Sequence, residues 1–95
     1  MFARVTTSGV APERAEESKR FVEQAMAAMK GLKGFRGFYH LDDFEAGKGM
    51  AISLWETEED ARAVGAALAR LHTSLTQDLG AVVPQTKYFE VTAQT

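Results

Sequence analysis

Cysteine is absent from these 95 residues, which rules out disulfides, thiolate nucleophiles and iron–sulfur ligation by this chain. Proline occurs only twice and tryptophan once, so regular elements meet few breaks and the single indole, Trp55, stands out. No apolar run approaches the ~20 residues that a membrane-spanning helix needs. Met1 leads straight into FARVTT, without the charged and then apolar segments of a leader. Positive charge is not in excess either: 11 basic against 13 acidic residues give a net charge of −2, which is no footprint for nucleic acid. These absences predict a cytoplasmic protein with no membrane and no nucleic-acid partner.

What is present is ordinary for a globular chain: 45% hydrophobic and 25% charged residues. The length fits one domain spanning residues 1–95, and a core this small makes burial against a partner worth seeking. Taken in order, Phe2–Thr6 alternates and is β-prone, predicting a first strand, and Thr7-Ser8-Gly9 reads as a loop. Pro12 suits a first helical position, and Glu13, Glu16 and Glu17 place negative charge at the positive end of the helix dipole. Ser18, Val22, Ala25, Met29 and Leu32 recur at steps of three and four, the stripe of a helix lying on a sheet. Gly31 and Gly34 suit its termination through a left-handed residue.

Phe35–Asp42 reads as a second strand, Asp43–Lys48 as a turn and Gly49–Glu56 as a third strand, an antiparallel hairpin. Thr57-Glu58-Glu59-Asp60 has the pattern of a capping box, with Thr57 bonding the Asp60 N–H and the Asp60 side chain reaching back. The helix that follows sets Ala61, Val64, Leu68, Leu71 and Leu75 on one face before Gly80 and Pro84 end it. Thr86–Thr92 supplies the last strand. The order β-α-β-β-α-β predicts an α+β, ferredoxin-like fold: a four-stranded antiparallel sheet with two helices on one face.

Such a sheet leaves its other face open, and an open face should be polar. In the third strand Met50, Ile52 and Leu54 point one way and Ala51, Ser53 and Trp55 the other. In the second, Phe35, Tyr39 and Leu41 oppose Arg36, Phe38 and His40. Neither face is polar, so a second copy is the predicted cover, in an isologous homodimer.

The segments MFARVTT, GFRGFYHLDD, GKGMAISLWETEED and YFEV, in that order, resemble the antibiotic biosynthesis monooxygenase domain family, of the dimeric α+β barrel superfamily. The similarity runs over nearly the whole chain, and its most specific part is a strand ending in Trp-Glu before Thr-Glu-Glu and a helix. The resemblance implies a dimeric α+β barrel. It also implies functions that vary: cofactor-free oxygenases acting on polycyclic quinol-like molecules, haem-degrading oxygenases, and proteins with no known activity. The haem-degrading branch uses an Asn on the first strand, a Trp within the second helix and a His further along it. Here FARVT has no Asn, the second helix has no Trp, and only His72 stands near its place.

On the cofactor-free reading, His72, which borders the apolar stripe, is the candidate base, because histidine changes charge near neutral pH. Trp55, Tyr39, Arg4 and Leu68 are the candidate substrate contacts, around an aromatic small molecule. The plainer reading of Trp55 is a core anchor whose indole N–H finds a nearby carbonyl. For His72 it is a helix residue at the edge of the stripe. Arg4, Tyr39 and Tyr88 would serve equally at an interface or sheet edge. His40 and Asp42 share a strand face, yet two ligands without a third do not make a metal site. The glycines of GLKGFRG follow a helix and enter a strand, the reverse of a phosphate loop. Ser53 lies mid-strand, with no nucleophile elbow, and Glu13–Arg20 reads as a solvated helix face. A ligand-binding dimer without turnover, or a purely structural dimer, are the alternatives to an enzyme.

Overall fold

The computed structural model describes residues 1–9, 13, 15–79 and 85–95, with side chains for all of these except Ser8 and residues 69–79. The elements run β1 (Phe2–Gly9), α1 (Ala15–Lys30), β2 (Phe35–Asp43), β3 (Lys48–Trp55), α2 (Glu58–Leu79) and β4 (Gln85–Glu90). The strands form one sheet in the order β2-β3-β1-β4, every neighbouring pair antiparallel. This is the ferredoxin-like α+β fold, with both helices packed on one face of the sheet. Among the described residues, no helix is long and apolar enough to cross a membrane.

Alternation puts Ala51, Ser53 and Trp55 of β3 on the helix side, where Ser53 and Trp55 are buried and Ala51 is half-buried. The core gathers Ala25 and Met29 from α1, Trp55 from β3, and Ala61, Val64 and Leu68 from α2. Trp55 is fully buried. Its indole Nε1 donates to the Ser53 hydroxyl at 2.8 Å, not to a carbonyl, because the side chain two residues back along the strand lies on the same face. Phe35 meets it edge-on, ring centroids 5.5 Å apart.

That contact corrects the parity read from the sequence, in which Phe35 shares a face with Tyr39. A bulge between Phe35 and Gly37 inserts one residue, Arg36, so Phe35 turns to the helix side while Tyr39 and Leu41 stay on the other. Arg36 points outward and pairs with Glu56, both exposed.

The ends of the elements also differ from the sequence reading. β1 continues through Thr7-Ser8-Gly9, which pair with Met50, Gly49 and Lys48 rather than forming a loop; a long β3 offers them a ladder. Of the two glycines after α1, Gly34 takes the positive φ of 81° and Gly31 does not. A Cβ on Gly34 would also stand 2.7 Å from Cγ of Asp60, so both the backbone and the space there require glycine. That packing accounts for the capping pattern as well. The Asp60 N–H donates to Thr57 Oγ1 at 3.0 Å, but the Asp60 carboxylate is buried against Gly34 instead of returning to the Thr57 N–H. In the β2–β3 turn Gly47 has a φ of 66°, and the Ala46 N–H donates to Asp43 Oδ1 at 3.1 Å. Pro12, Gly80, Pro84 and the side chains of Leu71 and Leu75 lie outside the described residues.

Candidate functional site

The ladder sets three rungs across the helix-facing side of the sheet. Phe38, Ser53, Arg4 and Tyr88 form the first; His40, Ala51, Thr6 and Thr86 the second; Asp42 beside Gly49 begins the third. Opposed residues in antiparallel strands project to the same side, so chemistry from three strands meets under the helices. The small residues at Ala51, Ser53 and Gly49 keep the β3 part of this floor low. Between floor and helices lies a cavity of about 50 Å³, roofed by Phe21, Val22, Ala25 and Met29 of α1 and by Leu68 of α2.

The cavity is largely polar below and, apart from Ser18 of α1, apolar above, and its burial is graded. At one end Ser53, Met29 and Leu68 are buried, as is Arg4, only 7% exposed. At the other Asp42 is exposed and His40 half-buried. The shape is therefore a slot, with its mouth at His40 and Asp42 and its closed end at Arg4 and Ser53.

At the mouth, His40 Nδ1 stands 3.3 Å from Asp42 Oδ2. Two residues apart on one strand face, the pair is brought together by the pleat, and Gly49 gives it room: a Cβ there would stand 3.0 Å from Asp42 Oδ1. A carboxylate near Nδ1 favours the tautomer with its hydrogen there, which leaves Nε2 as the acceptor of the ring. The His40 ring also stacks on Phe38, centroids 6.5 Å apart. Among the described residues no three His, Cys, Asp or Glu side chains gather around a possible metal position.

At the closed end, the Ser53 hydroxyl accepts the Trp55 indole N–H, which leaves its own hydrogen for the cavity. Thr6 is tied across to β4, its Oγ1 3.0 Å from that of Thr86. Tyr88 is half-buried beside the core, with the Arg62 guanidinium 4.4 Å above its ring.

Of the residues singled out in the sequence, Arg4 and Leu68 line the slot. Trp55 lies behind Ser53 in the core and is not on its wall. Tyr39 stands on the opposite face of the sheet, 61% exposed. His72 is on α2, and its side chain lies outside the described residues. The His40–Asp42 pair, considered in the sequence only as a metal site, emerges instead as an imidazole–carboxylate pair. The signal was its two-residue spacing opposite two small residues, Ala51 and Gly49.

No protein-family model matches the chain, and comparison with curated proteins gives no significant match. Solved structures do match over its whole length. The chain has the fold of the antibiotic biosynthesis monooxygenase proteins. A protein of Deinococcus radiodurans, proposed to be such a monooxygenase, superposes with a TM-score of 0.83 at 13% identity, covering 100% of this chain and 96% of that one. SnoaB of Streptomyces nogalater, a cofactor-independent oxygenase, gives 0.77 at 19% identity, over 99% and 94%. A mutant of MhuD, solved with two manganese protoporphyrin IX molecules in each active site, gives 0.77 at 20% identity, over 100% and 98%. Their shared architecture is the one derived above: two helices over a four-stranded antiparallel sheet.

Proposed function

We propose that the chain is a cofactor-independent monooxygenase for an aromatic, quinol-like small molecule, working in the slot between helices and sheet. The observation that carries the proposal is the imidazole–carboxylate pair at the mouth of a cavity whose roof is apolar and whose inner end is buried. The likeness of fold to SnoaB adds to it.

The chemistry asks little of the protein. An anthrone-type ring system carries an acidic CH₂ beside its carbonyl-linked rings. His40 Nε2 takes one proton from it, while Asp42 holds the ring and balances the imidazolium. The electron-rich anion then reacts with dioxygen itself. The carbon loses two hydrogens and gains one oxygen atom as a new carbonyl, and the second oxygen atom leaves as water with those hydrogens. The apolar roof of Phe21, Val22, Met29 and Leu68 excludes bulk water from the anion.

At about 50 Å³ the slot holds roughly three to five waters, whereas a cavity of roughly 150 Å³ is needed for benzene. A ring system therefore displaces the roof as it enters. Met29, long and unbranched, is suited to yield. The small volume also favours a second reading, a dimer that binds a smaller ligand without turnover.

The working unit in this proposal is a homodimer. Tyr39, Leu41, Met50 and Phe89 expose apolar surface on the face without helices, and Val5, Ile52 and Leu54 lie among them in the register. An open depression of about 790 Å³ beside Leu41, Met50 and Gln85 adds concavity to this face. Apolar surface on this scale marks an interaction site, and a second copy of the same sheet is its natural complement. A few hundred Å² of apolar burial per chain contributes roughly 10 kcal/mol before association costs.

An oxygen electrode tests the reaction. With anthrone as substrate, the wild-type protein should consume oxygen well above the uncatalysed rate. His40→Gln should lower kcat about a hundredfold, the usual worth of a general base. His72→Gln, run beside it, should retain activity; loss of activity there with His40→Gln unaffected would move the base to α2.

A further inference from the structure

Arg4 is, among the described residues, a buried cation that this chemistry leaves unused. It sits mid-strand in β1, 7% exposed, and among the described residues its Nε has no hydrogen-bond partner. Among the described residues its guanidinium forms no ion pair; Glu56, Asp42 and Glu58 engage Arg36, His40 and Arg62 instead. Its strand neighbours, Ser53 and Tyr88, are neutral. Overhead it approaches the α2 backbone, where a Cβ on Gly65 would stand 3.9 Å from its Nη2 and 3.8 Å from the Tyr88 hydroxyl.

A guanidinium taken out of water without a counter-charge opposes folding, and methionine of similar length would fill the same space without that cost. Arg4 also lines the slot, at its closed end, beside a serine hydroxyl whose hydrogen is unused. Asp42, the carboxylate on the same wall, is engaged with His40 two rungs away. The slot is thus arranged with a proton acceptor at its mouth and a desolvated cation at its end.

We infer that the ligand of this slot is an aromatic acid, whose carboxylate leads into the closed end and pairs with Arg4. A guanidinium receives a carboxylate through two parallel N–H···O bonds, and the Ser53 hydroxyl supplies a further donor. The ring follows behind, under Met29 and Leu68 and toward His40. The inference rests on the slot being the ligand site, as proposed above, and adds the charge that the ligand carries; it does not depend on turnover.

The test is calorimetric titration with benzoate and with its neutral isostere benzamide, on wild type, Arg4→Met and Arg4→Lys, with Tm measured for each. Wild type should prefer benzoate by about tenfold or more, the worth of a charge-assisted pair. Arg4→Met should lose that preference while its Tm stays level or rises. Arg4→Lys should keep part of it. Equal binding of the two probes by wild type, absence of benzoate binding, or a preference that survives in Arg4→Met would each overturn the inference. So would a fall in Tm for both variants, which would make Arg4 a structural residue. Oxygen uptake from anthrone without a benzoate preference removes this inference and leaves the reaction; a preference without oxygen uptake does the reverse.

Discussion

Single side chains decide what the slot can do, and most of them act through how little space they take. Gly49 is the clearest case. It stands opposite Asp42, and a Cβ there would lie 3.0 Å from Asp42 Oδ1. Gly49→Val adds a branched side chain to a strand position, which favours β-structure, yet the added methyls push the carboxylate away from His40. The expected result is a protein at least as stable in urea as wild type whose kcat with anthrone falls to that of Asp42→Ala. Trp55 shows the complementary role. Its burial and its bond to Ser53 make it the residue that orients the Ser53 hydroxyl, not a wall of the slot.

At the scale of elements, the junction of β3 with α2 and the end of α1 lock into each other. Thr57 caps α2 through the Asp60 N–H, the Asp60 carboxylate fills the space over Gly34, and the Glu56 N–H donates to the Gly34 carbonyl at 2.9 Å. Gly34→Ala places a Cβ against Asp60 at a positive φ. It should destabilise the fold by about 2–3 kcal/mol, the sum of left-handed strain and overpacking, read as a lower urea midpoint with an unchanged m-value. Within α2, Gly65 is a helix-interior glycine with ordinary contact distance to spare. Gly65→Ala should therefore stabilise by roughly 0.5–1 kcal/mol.

The elements themselves were legible in the sequence, because period-two and period-3.6 patterns and the Thr57 cap are local signals. Their ends were not. The extension of β1 to Gly9 depends on a partner strand, and the bulge at Arg36, which reverses the face of Phe35, leaves no mark in the pattern of a strand already aromatic on both faces. The slot was legible in part for the same reason. Arg4 and Leu68 could be picked from their types and positions, but the burial of Arg4 follows from its pairing with Ser53 and Tyr88, distant in sequence, and the approach of His40 to Asp42 depends on the pleat and on the room that Gly49 leaves across the hairpin.

At the scale of the whole molecule, the two faces of one sheet have separate tasks. The helix-covered face holds the slot; the other, with Tyr39, Leu41, Met50 and Phe89 exposed, is proposed to hold the second copy. Ile52 lies at the middle of that outer face, between Val5 and Tyr39 in the register. In sedimentation velocity at micromolar concentration, wild type should run at twice the chain mass and Ile52→Glu as a monomer, since a charge buried there has no partner. A wild-type monomer under those conditions would remove the proposed assembly.

The most direct test of the central claim is the fate of dioxygen. Anthrone should be incubated with the metal-free, flavin-free protein under isotopically heavy oxygen gas, and the product weighed by mass spectrometry. The expected product is anthraquinone carrying one heavy oxygen atom, formed far faster than in protein-free buffer, with the rate lost in His40→Gln. A product formed no faster than in buffer, or at the same rate with His40→Gln as with wild type, would contradict it.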